Sequence, residues 1–149
     1  MSTVPKHSWS SAMAPAQRQA WFNLVIISLA LGTVLVLTPA LGFRRAQGGL
    51  GLVGLLGLAP VLFRKRAGKV FMDERDVLIQ SRAWAVAYAL FWVVFIAVCV
   101  SAPFTFGAGG AVPVEWIQSS VWYGFILVWG TSSVATLAQY WWGASHAAE

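Results

Sequence analysis

Three of the five carboxylates in the chain, Asp73, Glu74 and Asp76, fall within four positions of the stretch "VFMDERDVLIQSRA". Two carboxylates a turn apart can hold a divalent cation or move a proton. Acids at the start of a helix can instead cap it. Asp73 can accept from the backbone N–H near Asp76 as an N-cap, and Glu74 and Asp76 then complement the positive helix end. Capping accounts for all three acids. A metal needs more ligands than one edge of a helix supplies, and no His, Asn or further acid lies nearby in sequence. None of the three acids has a Lys or Arg at i+3 or i+4, and Arg75 and Arg82 have no acid at those distances. These charges must find water, lipid headgroups, the block Arg64-Lys65-Arg66 with Lys69, or another protein. The segment Asp73, Glu74, Arg75, Asp76 therefore reads as a helix cap and a cytoplasmic recognition surface.

Other chemistry finds few residues to carry it. His7 and His146 lie in the two tails, away from any apolar run that could hold haem. Cys99 is the single cysteine, so an internal disulfide and a thiolate metal cluster are excluded, and its apolar surroundings predict a buried small hydrophobe. Intramembrane charges mark ion pathways, yet the apolar runs contain none beyond their ends. Glu115 is the nearest and reads as an exposed cap at the membrane edge. No His or acid is placed to activate Ser101, Ser132 or Ser133 as a nucleophile. The expectation is a protein without a catalytic site, cofactor or metal.

The elements that position these residues are set by an unusual composition. Of 149 residues, 58% are hydrophobic and 10% charged, against about 25% charged in an ordinary soluble domain. A small domain leaves much of its surface wet and could not hide so much apolar area, so lipid is the expected solvent. The net charge of +5 comes from short basic blocks at the ends of apolar runs. That placement favours anionic lipid headgroups as the partner and disfavours nucleic acid.

Four apolar runs follow a polar tail, Met1 to Gln19. Trp21 to Leu41 is uncharged and of the length needed to cross about 30 Å of hydrocarbon. Its length and its poor small-residue site disfavour a cleaved signal peptide. Gly48 to Phe63 is short for a span, covering about 24 Å as an α-helix. Ala83 to Ala102 is the third run, and Val121 to Trp142 the fourth. Between them, Pro103 to Trp116 reads as a loop. The predicted fold is an all-α integral membrane four-helix bundle over 20–143, with spans at about 21–41, 48–63, 83–102 and 121–142, an N-terminal tail (1–19) and a C-terminal tail (144–149). Lys and Arg are concentrated in the amino tail and in Arg64 to Arg82, which predicts that both termini are cytoplasmic. Seven tryptophans lie at or beyond span ends as interfacial anchors, whereas Trp92 and Trp129 sit deeper, as packing residues.

Two patterns within the spans are candidate contacts. Gly48, Gly51, Gly54 and Gly57 recur every third residue. They lack the Lys-Ser/Thr ending of a phosphate loop and read as a packing groove that admits a neighbouring backbone. Ser132, Thr136 and Gln139 share one helical face and read as a polar seam between helices, with a transport path as the alternative.

Asp73, Glu74 and Arg75, followed by Ile79, Ala83 and a span, resemble the signature of an uncharacterised family of small prokaryotic four-span membrane proteins. The resemblance implies a cytoplasmic-side signature and no assigned activity. The functional expectation is an interaction or regulatory membrane protein, as a homo-oligomer or with a membrane or cytosolic protein partner. The alternative is a small transporter or channel subunit using the polar stripe on the fourth span.

Overall fold

The computed structural model describes residues 13–62, 74–107 and 109–145, and all regular structure among them is helical. In chain order the elements are α1 (Pro15–Leu41), α2 (Phe43–Ala46), a 3-10 segment (Gln47–Leu58), α3 (Ala59–Leu62), α4 (Glu74–Phe106) and α5 (Val114–Ser145). Three of them, α1, α4 and α5, are long and apolar enough to cross a membrane.

Each long helix extends beyond the apolar run that predicts it. Helix α1 starts at Pro15, inside the expected tail, because proline's fixed φ suits a first helical position and Gln17 Oε1 accepts the Ala14 N–H at 3.0 Å. Helix α4 runs through Pro103 to Phe106, so the expected loop contracts to 107–113. Ser101 Oγ donates to the Val98 carbonyl at 2.8 Å, and Thr105 Oγ1 to the Ser101 carbonyl at 2.9 Å, which binds the last turn around the proline. Gly107 and Gly109 then turn the chain at φ 78° and 91°, values that side chains resist.

The glycine-rich run departs furthest from an ordinary span. From Gln47 to Leu58 it is a 12-residue 3-10 helix, far longer than the usual few residues of that conformation. With three residues per turn, side chains at i and i+3 eclipse, and the sequence carries that period throughout. Leu50, Val53, Leu56 and Ala59 form one buried row. Leu52, Leu55 and Leu58 form a second, exposed row, and Gly48, Gly51, Gly54 and Gly57 a third, also exposed. The tighter helix rises about 2 Å per residue, so these residues reach about 24 Å and α3 adds about 6 Å. The extra rise compensates for the shortness of the run.

Antiparallel packing defines the rest. Ala46 and Leu50 pack with Val34, and Val53 and Leu56 with Ile26, Ile27 and Ala30, so the 3-10 segment retraces α1 towards its start. Trp122 and Ile126 of α5 close both clusters, and Trp129 closes the one around Ile26, Ile27 and Ala30. Asn23 of α1 meets Ser133 of α5, so these two helices are antiparallel as well. Helix α4 packs on α5 through the stripe Ile79, Ala83 and Ala87, and most of its remaining surface is exposed. Two expectations are corrected on that surface. Cys99 is exposed, and Trp92 is 56% exposed beside Phe91 and Phe95. In lipid an apolar side chain gains nothing by facing inward, so hydrophobicity alone does not select the packed face. Trp129 does pack, with its ring centroid 5.5 Å from that of Trp84 in an edge-on arrangement.

Candidate functional site

The site is built where α1 passes into α2 and where α5 begins. Gly42, at φ 78°, redirects the chain and starts α2, which carries Arg44 and Arg45. Across from it, Glu115 lies in the first turn of α5. Arg44 Nη2 donates to Glu115 Oε1, the one ion pair among the described residues. One turn further in, Gln47 Nε2 donates to Ser119 Oγ at 2.7 Å, and that hydroxyl donates to the Glu115 carbonyl at 2.6 Å. Two side-chain bridges thus tie α2 and the head of the 3-10 run to the head of α5. The ionic bridge is open to solvent, with the Arg44 and Glu115 side chains 81% and 46% exposed.

Beneath the bridge lies a cleft of about 970 Å³ between α1 and α4, floored by α5. Its mouth holds Arg44, Gln47, Glu115 and Ser119, and its walls are largely apolar, including Leu31, Phe91, Phe95, Tyr123 and Leu127. From Glu115 to Leu127 the floor descends about 18 Å along α5. That is close to the roughly 15 Å half-thickness of a hydrocarbon core. Gly124 lets Phe91 sit close against the floor, since a Cβ there would stand 3.2 Å from Phe91 Cε2.

On the other side of the same bridge is a recess of about 540 Å³ lined by Arg45, Gly48, Gly51, Gln118 and Trp122, among others. Arg44, Gln47 and Glu115 border both spaces. A Cβ built on Gly48 or Gly51 would meet nothing within 4 Å. Among the described residues no neighbouring backbone fills the expected packing groove: the same holds for Gly54 and Gly57, and a Cβ on any of the four glycines meets none of them within 4 Å. Close backbone approach occurs instead at Gly49, against Thr33 and Val34 of α1.

The opposite end of the bundle carries the acidic segment. Asp73 and the block Arg64-Lys65-Arg66 with Lys69 lie outside the described residues, and with them the N-cap expectation. Glu74 and Asp76 stand in the first turn of α4, and Arg75 beside them is exposed. Asp76 Oδ1 accepts the Tyr140 hydroxyl of α5, a pairing across helices that a search within one helix does not reach. No group of three or more metal-ligating side chains is present among the described residues.

The polar stripe divides by function. Gln139 Nε2 donates to the Ile79 carbonyl of α4 at 3.3 Å and to the Ala135 carbonyl at 3.2 Å. Ser132 and Thr136 are buried and donate within α5, to the Trp129 and Ser132 carbonyls at 3.0 and 2.8 Å. The bond from α5 to α1 belongs to Ser133, whose hydroxyl accepts from Asn23 Nδ2 at 3.3 Å. Asn23 is 7% exposed, and its Oδ1 has no partner among the described residues.

Asn23, Gln47 and Ser119 were legible as amides and hydroxyls next to or within apolar runs. Arg44 and Glu115 were legible through topology, because the first and third turns of an antiparallel bundle lie at the same end. No family model, no curated protein and no solved structure matches the chain.

Proposed function

We propose that the chain crosses a cell membrane four times with both termini cytoplasmic, and acts by binding, as an interaction or regulatory protein, with the cleft taking an amphipathic molecule of the bilayer. Three long apolar helices and a fourth segment running antiparallel to α1 support the four crossings. Arg44 and Arg45 lie at one end and Arg18, Arg75 and Arg82 at the other, which supports the orientation under the positive-inside rule.

The single observation that carries the binding reading is the cleft itself. It is about as deep as one leaflet, apolar along its length and polar at the membrane edge. Its volume is at the upper end for small-molecule sites, which are concave, mostly apolar and supplied with a few convergent polar groups. Arg75 at the other end remains the residue proposed to meet a cytosolic partner or headgroup.

A transport path along Ser132, Thr136 and Gln139 is the second reading. It is favoured by the buried Asn23 Oδ1, without a partner among the described residues, beside Ser133. Reconstituted flux that disappears with Gln139→Leu would select it.

Binding is tested by placing a tryptophan at Leu127, the inner end of the cleft. Lipid retained through purification should fall in Leu127→Trp while the protein stays folded; unchanged retention counts against the cleft. Orientation is tested in a Cys99→Ala background. Arg45→Cys should react with an impermeant thiol reagent from outside the cell and Arg75→Cys only after permeabilisation. Reaction of both from one side would remove the fourth crossing.

A further inference from the structure

The recess beside the cleft shares Arg44, Gln47 and Glu115 with it, and a role for it rests on the cleft being a binding site. We propose that the recess lined by Arg45, Gln118, Gly48 and Gly51 holds the phosphate of an anionic phospholipid whose acyl chain lies in the apolar cleft. Both spaces share Arg44, Gln47 and Glu115 as their common border. One molecule with a polar head and an apolar tail can therefore occupy both, straddling the Arg44–Glu115 bridge.

Charge selects the class of headgroup. Among the described residues Glu115 is the only carboxylate lining either space, and it is engaged by Arg44. Arg45 is exposed, lines the recess, and makes no ion pair among the described residues. A phosphodiester carries one negative charge, which Arg45 matches through charge-assisted hydrogen bonds. A zwitterionic headgroup would bring an ammonium to the same place with no free acid to receive it, and that mismatch supplies the discrimination. Gln118 adds an amide donor to the lining.

The glycines give the recess its shape. Gly48 and Gly51 are one 3-10 turn apart, so they lie in a straight row and leave backbone bare along one wall. A side chain at either position would project into open space, so it would occupy the recess without disturbing packing. Close backbone approach by a ligand is one of the established uses of glycine.

The test uses the full-length protein in a neutral detergent, with binding followed by native mass spectrometry and thermal melting. The probes are phosphatidylglycerol, phosphatidylcholine of the same chain length, and inorganic phosphate alone. Phosphatidylglycerol should bind about tenfold more tightly than phosphatidylcholine, because both offer the phosphodiester to Arg45 but only phosphatidylcholine brings an ammonium beside it with no free acid to receive it. Arg45→Gln and Gly51→Leu should each abolish that preference while leaving the melting temperature of the lipid-free protein near wild type. Inorganic phosphate should bind far more weakly than the lipid; equal binding would assign the recess to a free anion and overturn the lipid. Equal affinity for the two lipids, with retention still lost in Leu127→Trp, would overturn the headgroup assignment and leave the cleft standing. Failure of either lipid to bind the wild-type protein would overturn the cleft and the recess together.

Discussion

Gly49 stands so close to Thr33 that a Cβ built on it would lie 2.8 Å from Thr33 Cγ2 and 3.2 Å from Thr33 Cβ. Thr33 cannot readily give way. Its side chain is short and branched, and its Oγ1 donates to the Leu29 carbonyl at 2.7 Å. The backbone of Val34 lies 3.4 Å from the same point. Gly49→Ala should therefore destabilise the protein by about 1–3 kcal/mol, the usual range for overpacking. Gly54→Ala and Gly57→Ala, which face open space, should be neutral or stabilising by up to about 1 kcal/mol, because alanine restricts the unfolded chain. Thermal melting of the three variants in one detergent checks the order, and an unchanged Gly49→Ala would show that the close approach contributes nothing to stability.

The Arg44–Glu115 bridge should position the mouth more than it stabilises the fold. Both side chains reach solvent, 81% and 46% exposed, and exposed pairs contribute about 0–1 kcal/mol. A double-mutant cycle with Arg44→Gln and Glu115→Gln should give a coupling energy in that range, and it should shrink as salt is added. A coupling energy above about 2 kcal/mol, insensitive to salt, would mark the pair as desolvated and contradict the exposed geometry.

The three long helices could be read from uncharged apolar runs, because a membrane imposes length and backbone satisfaction on any crossing segment. Their ends could not. Pro15 falls in the stretch read as a tail and Pro103 opens the one read as a loop, but the first is a favourable opening residue and the second sits in a last turn held by serine and threonine hydroxyls. The period of three at Gly48, Gly51, Gly54 and Gly57 was visible, and so was the same period at Leu50, Val53 and Leu56. Read as an α-helix, the first winds around the axis; read at three residues per turn, both become straight rows. The local bond of Thr33 is to Leu29 on its own helix, so the contact at Gly49 emerges only when α1 and the 3-10 run are packed. The same limit hid the Asn23 to Ser133 bond, whose partners are far apart in sequence.

Asn23 and Ser133 should respond unequally to substitution. Ser133→Ala would leave Nδ2 of Asn23 unpaired as well as Oδ1, and an abandoned buried polar group costs about 1–3 kcal/mol. Asn23→Leu removes the bond and the orphaned oxygen together, and should cost less than Ser133→Ala despite the larger chemical change. The double variant should melt like Asn23→Leu alone. If Ser133→Ala is the milder substitution, Asn23 has another partner in the membrane and the polar path gains ground.

Tyr140 and Asp76 join α5 to the first turn of α4, next to the exposed Arg75. Tyr140→Phe removes the donor and leaves the carboxylate to water, whereas Asp76→Asn keeps an oxygen that can still accept from the phenol. Loss of the bond should loosen the start of α4 and leave the apolar middle of the bundle alone, because local opening follows local contacts. Amides of residues 79–82, which close the first helical turns of α4, should exchange with deuterium about three to ten times faster in Tyr140→Phe, the change expected for one lost hydrogen bond. Asp76→Asn should show a smaller effect, and amides near Ala87 should not change in either variant. Equal acceleration along the whole of α4 would mean that the pair supports the packing of the two helices and not only the end that presents Arg75.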